Sequence, residues 1–203
     1  MPKRSLGINT VHPQTTRPIP RERLAEFIQA VEAAEWPTEK FPWTKPDPRK
    51  VVLFLLFTGA HPRVLATPKE CSLNIWHGRV IFYRPKTRKQ IDVALDPKIA
   101  PWAKEFIASL PEIRSVNPTV YYTTMVQKFC ASIGFPHVTP RTLRHTLGRQ
   151  LYVKTRDLQA VMRTLRTSAG VATIYAREVD STDVDRMIKS GTLWSEPADE
   201  KGG

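Results

Sequence analysis

Three short stretches of the sequence carry side chains able to act on a phosphate. The first is Pro140-Arg141-Thr142-Leu143-Arg144-His145-Thr146. Arg141 and Arg144 stand three apart, so they share one face of any helix that starts at Thr139. A guanidinium is a planar fork of donors that grips a phosphate through paired hydrogen bonds. Two cations in a first turn oppose the helix dipole, which tilts the reading from a solvated face toward a working one. The second stretch is the basic turn Arg84-Pro85-Lys86-Thr87-Arg88-Lys89. At a hairpin tip it can deliver a lysine to a phosphate or a leaving group, or simply keep an exposed turn soluble. The third is Thr173-Ile174-Tyr175-Ala176-Arg177. Taken alone, a tyrosine near the end of a basic helical domain is a core or interface residue. It becomes a nucleophile only where its neighbours activate it.

These stretches must be positioned by the elements around them. Arg21 to Trp36 reads as an amphipathic helix, with Leu24, Phe27, Ile28 and Val31 on one face and Pro37 as its stop. After a proline-rich loop, Asp47-Pro48 supplies a cap and a first-position proline. The run from Val51 to Phe57 is apolar all round, so that helix should be buried, ending at Thr58-Gly59. From Asn74 to Leu95 the period changes to that of two or three short antiparallel strands, turning at His77-Gly78 and at Lys86–Lys89. Helices are expected again over 97–110, 118–133, 139–153, 157–165 and 172–189. The fold class is therefore mainly α with one small antiparallel β-sheet (α+β).

The 203 residues suit one domain, with 41% hydrophobic and 25% charged side chains. The net charge of +12 points to a polyanion. Neutralising phosphates releases counterions and drives such binding. The cations recur inside segments that look folded rather than in one tail. The apolar run Val51–Phe57 is too short for a membrane span, and the N-terminus has no signal-peptide pattern. A soluble intracellular protein with a nucleic-acid partner is expected. Cys71 and Cys130 lack metal or disulfide spacing, and His12, His77 and His137 form no cluster, so no metal site is expected. Trp43, Trp76, Trp102 and the pair Tyr121-Tyr122 read as core or loop anchors. His145 reads as a structural hydrogen-bonding residue.

In this order the three stretches resemble the catalytic domain of the tyrosine recombinase (phage integrase) family, over about residues 20–189. Its domains open with an amphipathic helix, here Pro20–Trp36. A buried helix ending in Thr-Gly-x-Arg is matched by Thr58-Gly59-Ala60-His61. A hairpin bearing a catalytic lysine is matched at Lys86. The box His-x-Leu-Arg-His-Thr is matched by Arg141-Thr142-Leu143-Arg144-His145-Thr146. The pattern Leu-Gly-His-Ser, then Thr-x-x-Tyr, aligns with Leu165-Arg166-Thr167-Ser168 and Ala172-Thr173-Ile174-Tyr175.

The resemblance implies a site-specific recombinase that cleaves and rejoins double-stranded DNA through a 3′-phosphotyrosyl link. Tyr175 would attack, Arg144 would clamp the phosphate and Lys86 would protonate the leaving 5′ oxygen, with no metal or nucleotide cofactor. Arg84, Arg88, Lys89 and Arg166 would bind DNA. It also implies a homotetramer on paired sites. Val184, Met187, Ile188, Leu193 and Trp194 could pack into a neighbour or back on their own domain.

Three positions depart from the pattern. His61 stands where the family has its first arginine, with Arg63 two residues on as a substitute. Arg141 replaces a histidine and cannot easily act as a base. Thr167 stands where a histidine or tryptophan is usual, and Arg166 where a glycine is. A DNA-binding protein with an impaired site is thus the alternative on the same fold. The expected organisation is a basic arm or linker at 1–20, the catalytic domain at 21–190 and a flexible tail at 191–203.

Overall fold

The computed structural model describes residues 17–36, 46–84 and 89–175. Helix α1 (Arg21–Ala33) buries Phe27 and Val31, the face its apolar period marks out. In α2 (Pro48–Thr58), Asp47 caps the start by accepting the Arg49 N–H at 2.9 Å. Val51 through Leu56 are all buried, as an all-round apolar helix requires. Gly59 ends α2 at φ 61°, a left-handed cap that glycine takes without a Cβ penalty. A short helix, α3 (Pro62–Ala66), follows directly and has no counterpart in the expected elements. His61 and Pro62 supply its cap and first turn.

The expected sheet is present as three antiparallel strands in the order β1 (Asn74–Trp76), β2 (Arg79–Arg84) and β3 (Lys89–Ala94). Val80 pairs with Val93 and Phe82 with Ile91, so one face of the hairpin enters the core. His77 and Gly78 take positive φ, 46° and 68°, which suits a tight hairpin turn. The second turn, with Lys86 and Arg88, lies outside the described residues.

The remainder is helical: α4 (Ala100–Ala108), α5 (Thr119–Ser132), α6 (Pro140–Thr155) and α7 (Leu158–Leu165), with residues 169–175 helical after them. The expected continuation to residue 189 and the tail lie outside the described residues. Helix α2 packs on α5 and α6, while α7 packs on α6 and β3. One large apolar cluster joins α1, α2, the sheet and α5. A smaller one holds Tyr152, Val161, Leu165, Ala172 and Tyr175.

Three positions bear on the sequence expectations. Ile19, within the arm, is 3% exposed, and its N–H donates to Thr146 Oγ1 at 2.9 Å. Trp76 is 64% exposed and stacks edge-on against His77, so it anchors no core. His145 is buried, but its Nδ1 makes no hydrogen bond. No described helix is long and apolar enough to cross a membrane.

Candidate active site

The site begins with the cap of α6. Thr139 Oγ1 accepts the Thr142 N–H at 3.1 Å, and Thr142 Oγ1 accepts the Thr139 N–H at 3.2 Å. This reciprocal box, with Pro140 next, fixes where the helix starts. It thereby fixes where Arg141 and Arg144 point. Arg141 is exposed. Arg144 is half-buried and donates from Nη1 to Gly59 O and from Nη2 to Leu165 O. Both acceptors are carbonyls at helix ends, where backbone oxygens lack helical partners. One guanidinium thus ties the end of α2 to the end of α7. It has five N–H donors, so two carbonyls do not exhaust it.

His61 stands across from Arg144. Its Nδ1 accepts the Arg63 N–H at 3.2 Å as the cap of α3. The neutral ring then carries its proton on Nε2, which makes that nitrogen a donor. Loss of surrounding water is the largest cause of a lowered His61 pKa, followed by the charges of Arg84, Arg144 and Arg63. Burial likewise lowers the Arg144 pKa, Arg84 adds to the effect, and Tyr175 opposes it. Arg84 at the end of β2 therefore acts on both groups.

His61, Arg141 and Arg144 line one cleft of about 340 Å³. Its other wall is Thr119, Thr123 and Gln127, which recur every four residues along α5. A second cleft, of about 390 Å³, is lined by Lys89, Arg163, Arg166, Thr167 and Ser168 among others. Arg166 ends α7 at φ 47°. A left-handed position of this kind favours glycine, so the arginine costs roughly 1–2 kcal/mol of backbone strain. Neither cleft is lined by a described carboxylate. Such a surface suits an anion with several oxygens.

Tyr175 is 1% exposed. Its seat is Gly148, one turn along α6 from Arg144. A Cβ at Gly148 would lie 2.7 Å from Tyr175 Cζ and 2.8 Å from Cε2. Only glycine lets the phenol come this close to the helix. The His145 ring meets the Tyr175 ring edge to face at 5.3 Å between centroids.

The structure thus brings His61, Arg141 and Arg144 to one cleft, seats Tyr175 against Gly148 one turn along α6 from Arg144, and lets the charge of Arg84 bear on His61 and Arg144. Lys89, Arg166 and Thr167 meet in the second cleft. Arg63 turns to Glu70, at 2.8 Å, and does not line the first cleft. Lys86 and Arg88 lie outside the described residues. The sequence reading missed the α5 wall, Arg163 and the Gly148 seat. A four-residue polar repeat and a glycine inside a helix were the available signals. No cluster of His, Cys, Asp or Glu able to hold a metal occurs among the described residues.

No family model matches the chain, and no curated protein matches it by sequence. Solved structures do. The XerH site-specific recombinase bound to palindromic difH substrate, a post-cleavage complex, is similar over 89% of this chain and 54% of its own, with 19% identity and a TM-score of 0.62. The XerA recombinase is similar over 85% and 64%, with 17% identity and a TM-score of 0.60. The Tn1549 transposon integrase in complex with transposon right end DNA is similar over 87% and 68%, with 12% identity and a TM-score of 0.53. The chain spans little more than half to two thirds of the length of these structures. Its helices and three-stranded sheet form one architecture, the fold of a tyrosine recombinase catalytic domain.

Proposed function

We propose that the chain is the catalytic part of a site-specific DNA recombinase or integrase that breaks and rejoins strands through Tyr175. The observation that carries this reading is the seating of the Tyr175 phenol against Gly148, one turn along α6 from Arg144. The two residues come from separate segments. A core tyrosine has no need of a half-buried guanidinium, and a structural arginine has no need of a cleft.

In this reaction the Tyr175 hydroxyl attacks a backbone phosphorus. The bond to the 5′ oxygen breaks, and Lys86 protonates that oxygen. A 3′-phosphotyrosyl link holds the strand until a new 5′-hydroxyl reverses the step. The transition state gains negative charge on the phosphate oxygens, where fixed donors stabilise it. Arg144 and Arg141 supply guanidinium donors, and His61 supplies Nε2–H. Thr167 supplies a hydroxyl, and Arg63 is a reserve cation now held by Glu70. Arg84, Arg88, Lys89 and Arg166 hold the flanking backbone of double-stranded DNA, on a mobile element or a chromosome inside the cell. The working form is a homotetramer on paired sites. The scheme uses side-chain donors in place of a metal, and the covalent link conserves the bond energy, so no nucleotide cofactor is needed.

A second reading is a DNA-binding protein on this fold with an impaired site. The engagement of Arg144 by two carbonyls and the burial of Tyr175 favour it. A pool of short duplexes of randomised sequence, nicked on one strand, separates the two. The first reading predicts a covalent protein–DNA adduct that disappears in Tyr175→Phe. Tight, salt-sensitive binding without adduct supports the second.

A further inference from the structure

A phenol attacks phosphorus poorly unless a base takes its proton. The family pattern puts a histidine at position 141, where this chain has an arginine that cannot serve. No described carboxylate lines either cleft. The Nδ1 of His61 is already committed to the Arg63 N–H. The acceptor must then come from elsewhere.

We propose that His145 is that acceptor, taking the Tyr175 proton on Nδ1; this rests on Tyr175 being the nucleophile. Two geometric facts carry it. His145 is 8% exposed, and its Nδ1 is enclosed without a hydrogen-bond partner. Buried polar atoms are ordinarily paired, so an open one at a reactive group calls for a role. Its ring lies edge to face with the Tyr175 ring, at 5.3 Å and 74°. The contact joins rings, and the hydrogen bond forms as the phenol turns toward a bound phosphate. Catalytic hydrogen bonds commonly tighten in this way when substrate arrives.

The surrounding charges suit the role. Burial first, then Arg141 and Arg144 on the same helix, lower the His145 pKa, and Tyr175 faces it from the helix at 169–175. The ring is therefore neutral, and able to accept, near neutral pH. In the forward step the Tyr175 Oη–H bond breaks and its proton passes to Nδ1. Oη then bonds phosphorus, the bond to the 5′ oxygen breaks, and that oxygen takes a proton from Lys86. The reverse step returns both protons. The arginine at 141 and the histidine at 145 thus divide what one histidine does in the family pattern.

The test is the pH profile of single-turnover adduct formation on the nicked duplex pool, for the wild type, His145→Phe and His145→Gln. His145→Phe keeps a ring against Tyr175 and removes the acceptor. Both variants should be slower by roughly 10²- to 10⁴-fold at neutral pH. They should also lose the acidic limb of the profile and gain rate steadily with hydroxide. A fluorinated tyrosine at 175, with its more acidic phenol, should restore His145→Phe far more than it changes the wild type. Unchanged rate and profile in a folded variant overturn the proposal while leaving Tyr175 as nucleophile. No Tyr175-dependent adduct from the wild type removes the recombinase reading itself, and the proposal with it. Should neither variant fold, ¹⁵N spectroscopy of the wild-type ring decides. An unprotonated Nδ1 at neutral pH supports the proposal, and a protonated one overturns it.

Discussion

The chain buries its apolar side chains in two places that are built differently. The larger cluster interlocks α1, α2, the sheet and α5, and includes Phe27, Phe54, Phe82 and Phe129. The smaller holds Tyr152, Val161, Leu165, Ala172 and Tyr175 at the end of the described chain. The first makes a scaffold and the second makes a seat. Less buried surface means a lower free energy of local opening. Tyr175 thus belongs to the smaller cluster, which is expected to open more easily, while Arg144 and His61 stand beside the scaffold. Arg144 bridges the two through Gly59 O and Leu165 O. Gly59 allows the close approach, since a Cβ there would lie 2.7 Å from Leu165 Cδ2.

Removing the bridge should separate the two parts most sharply. Arg144→Ala is expected to slow adduct formation by about 10²- to 10³-fold. It should also cost about 3 kcal/mol or more, because two hydrogen bonds from a charged group are lost. Activity assays paired with denaturant unfolding read both effects. If stability is unchanged, the bridge is not holding the clusters together.

Crowding the seat comes next. Gly148→Ala should destabilise by about 1–3 kcal/mol, the usual cost of overpacking. Hydrogen exchange should quicken over residues 158–175 and stay slow in α2. Equal quickening in both would mean that the clusters unfold as one. Two changes at the ends of α7 act more gently. Asp157 accepts the Gln159 N–H at 2.6 Å, so Asp157→Ala should cost about 1 kcal/mol, confined to the smaller cluster. Arg166→Gly should have the opposite sign on stability, a gain of about 1 kcal/mol, by relieving the φ of 47°. The same change should weaken DNA binding and lower its salt slope by about one.

The smallest effect is that of pH. His61 and His145 both have pKa values below the ordinary histidine value of 6.5. The unfolded chain therefore takes up protons first as pH falls. The stability held by neutral rings is complete above 6.5 and is lost as pH drops through the lowered values. Melting temperature should decline on acidification, and less so in His145→Phe. Bound phosphate favours the protonated rings, so DNA affinity should rise over the same range.

Much of the fold was legible in the sequence because local signals agreed with tertiary demands. Asp47-Pro48, the apolar run after it and Gly59 each announce one part of α2, and the structure uses them so. The strand pattern around Val80, Phe82, Ile91 and Val93 was equally plain. Helix α3 escaped because five residues are too few to show a period. The exposure of Trp76 escaped because an aromatic side chain in a strand looks buried until the sheet's edge is known. At the site, spacing placed Arg141 and Arg144 on one helix. It could not show that Arg144 would reach two distant carbonyls, or that His145 would meet Tyr175. Those contacts arise where α6 meets the ends of α2 and α7 and the helix at 169–175, and sequence separation hides them. Gly148 was a local clue, since a glycine costs a helix interior about 1 kcal/mol unless something needs the space.

The most direct test is to trap the strand on the protein and find where it is attached. Wild-type protein, incubated with the nicked duplex pool and digested, should yield one nucleotide-bearing peptide, linked through phosphotyrosine at Tyr175. The link should be absent in Tyr175→Phe and scarce in Arg144→Ala. Attachment at another residue, or tight binding with no attachment under any condition, would contradict the account.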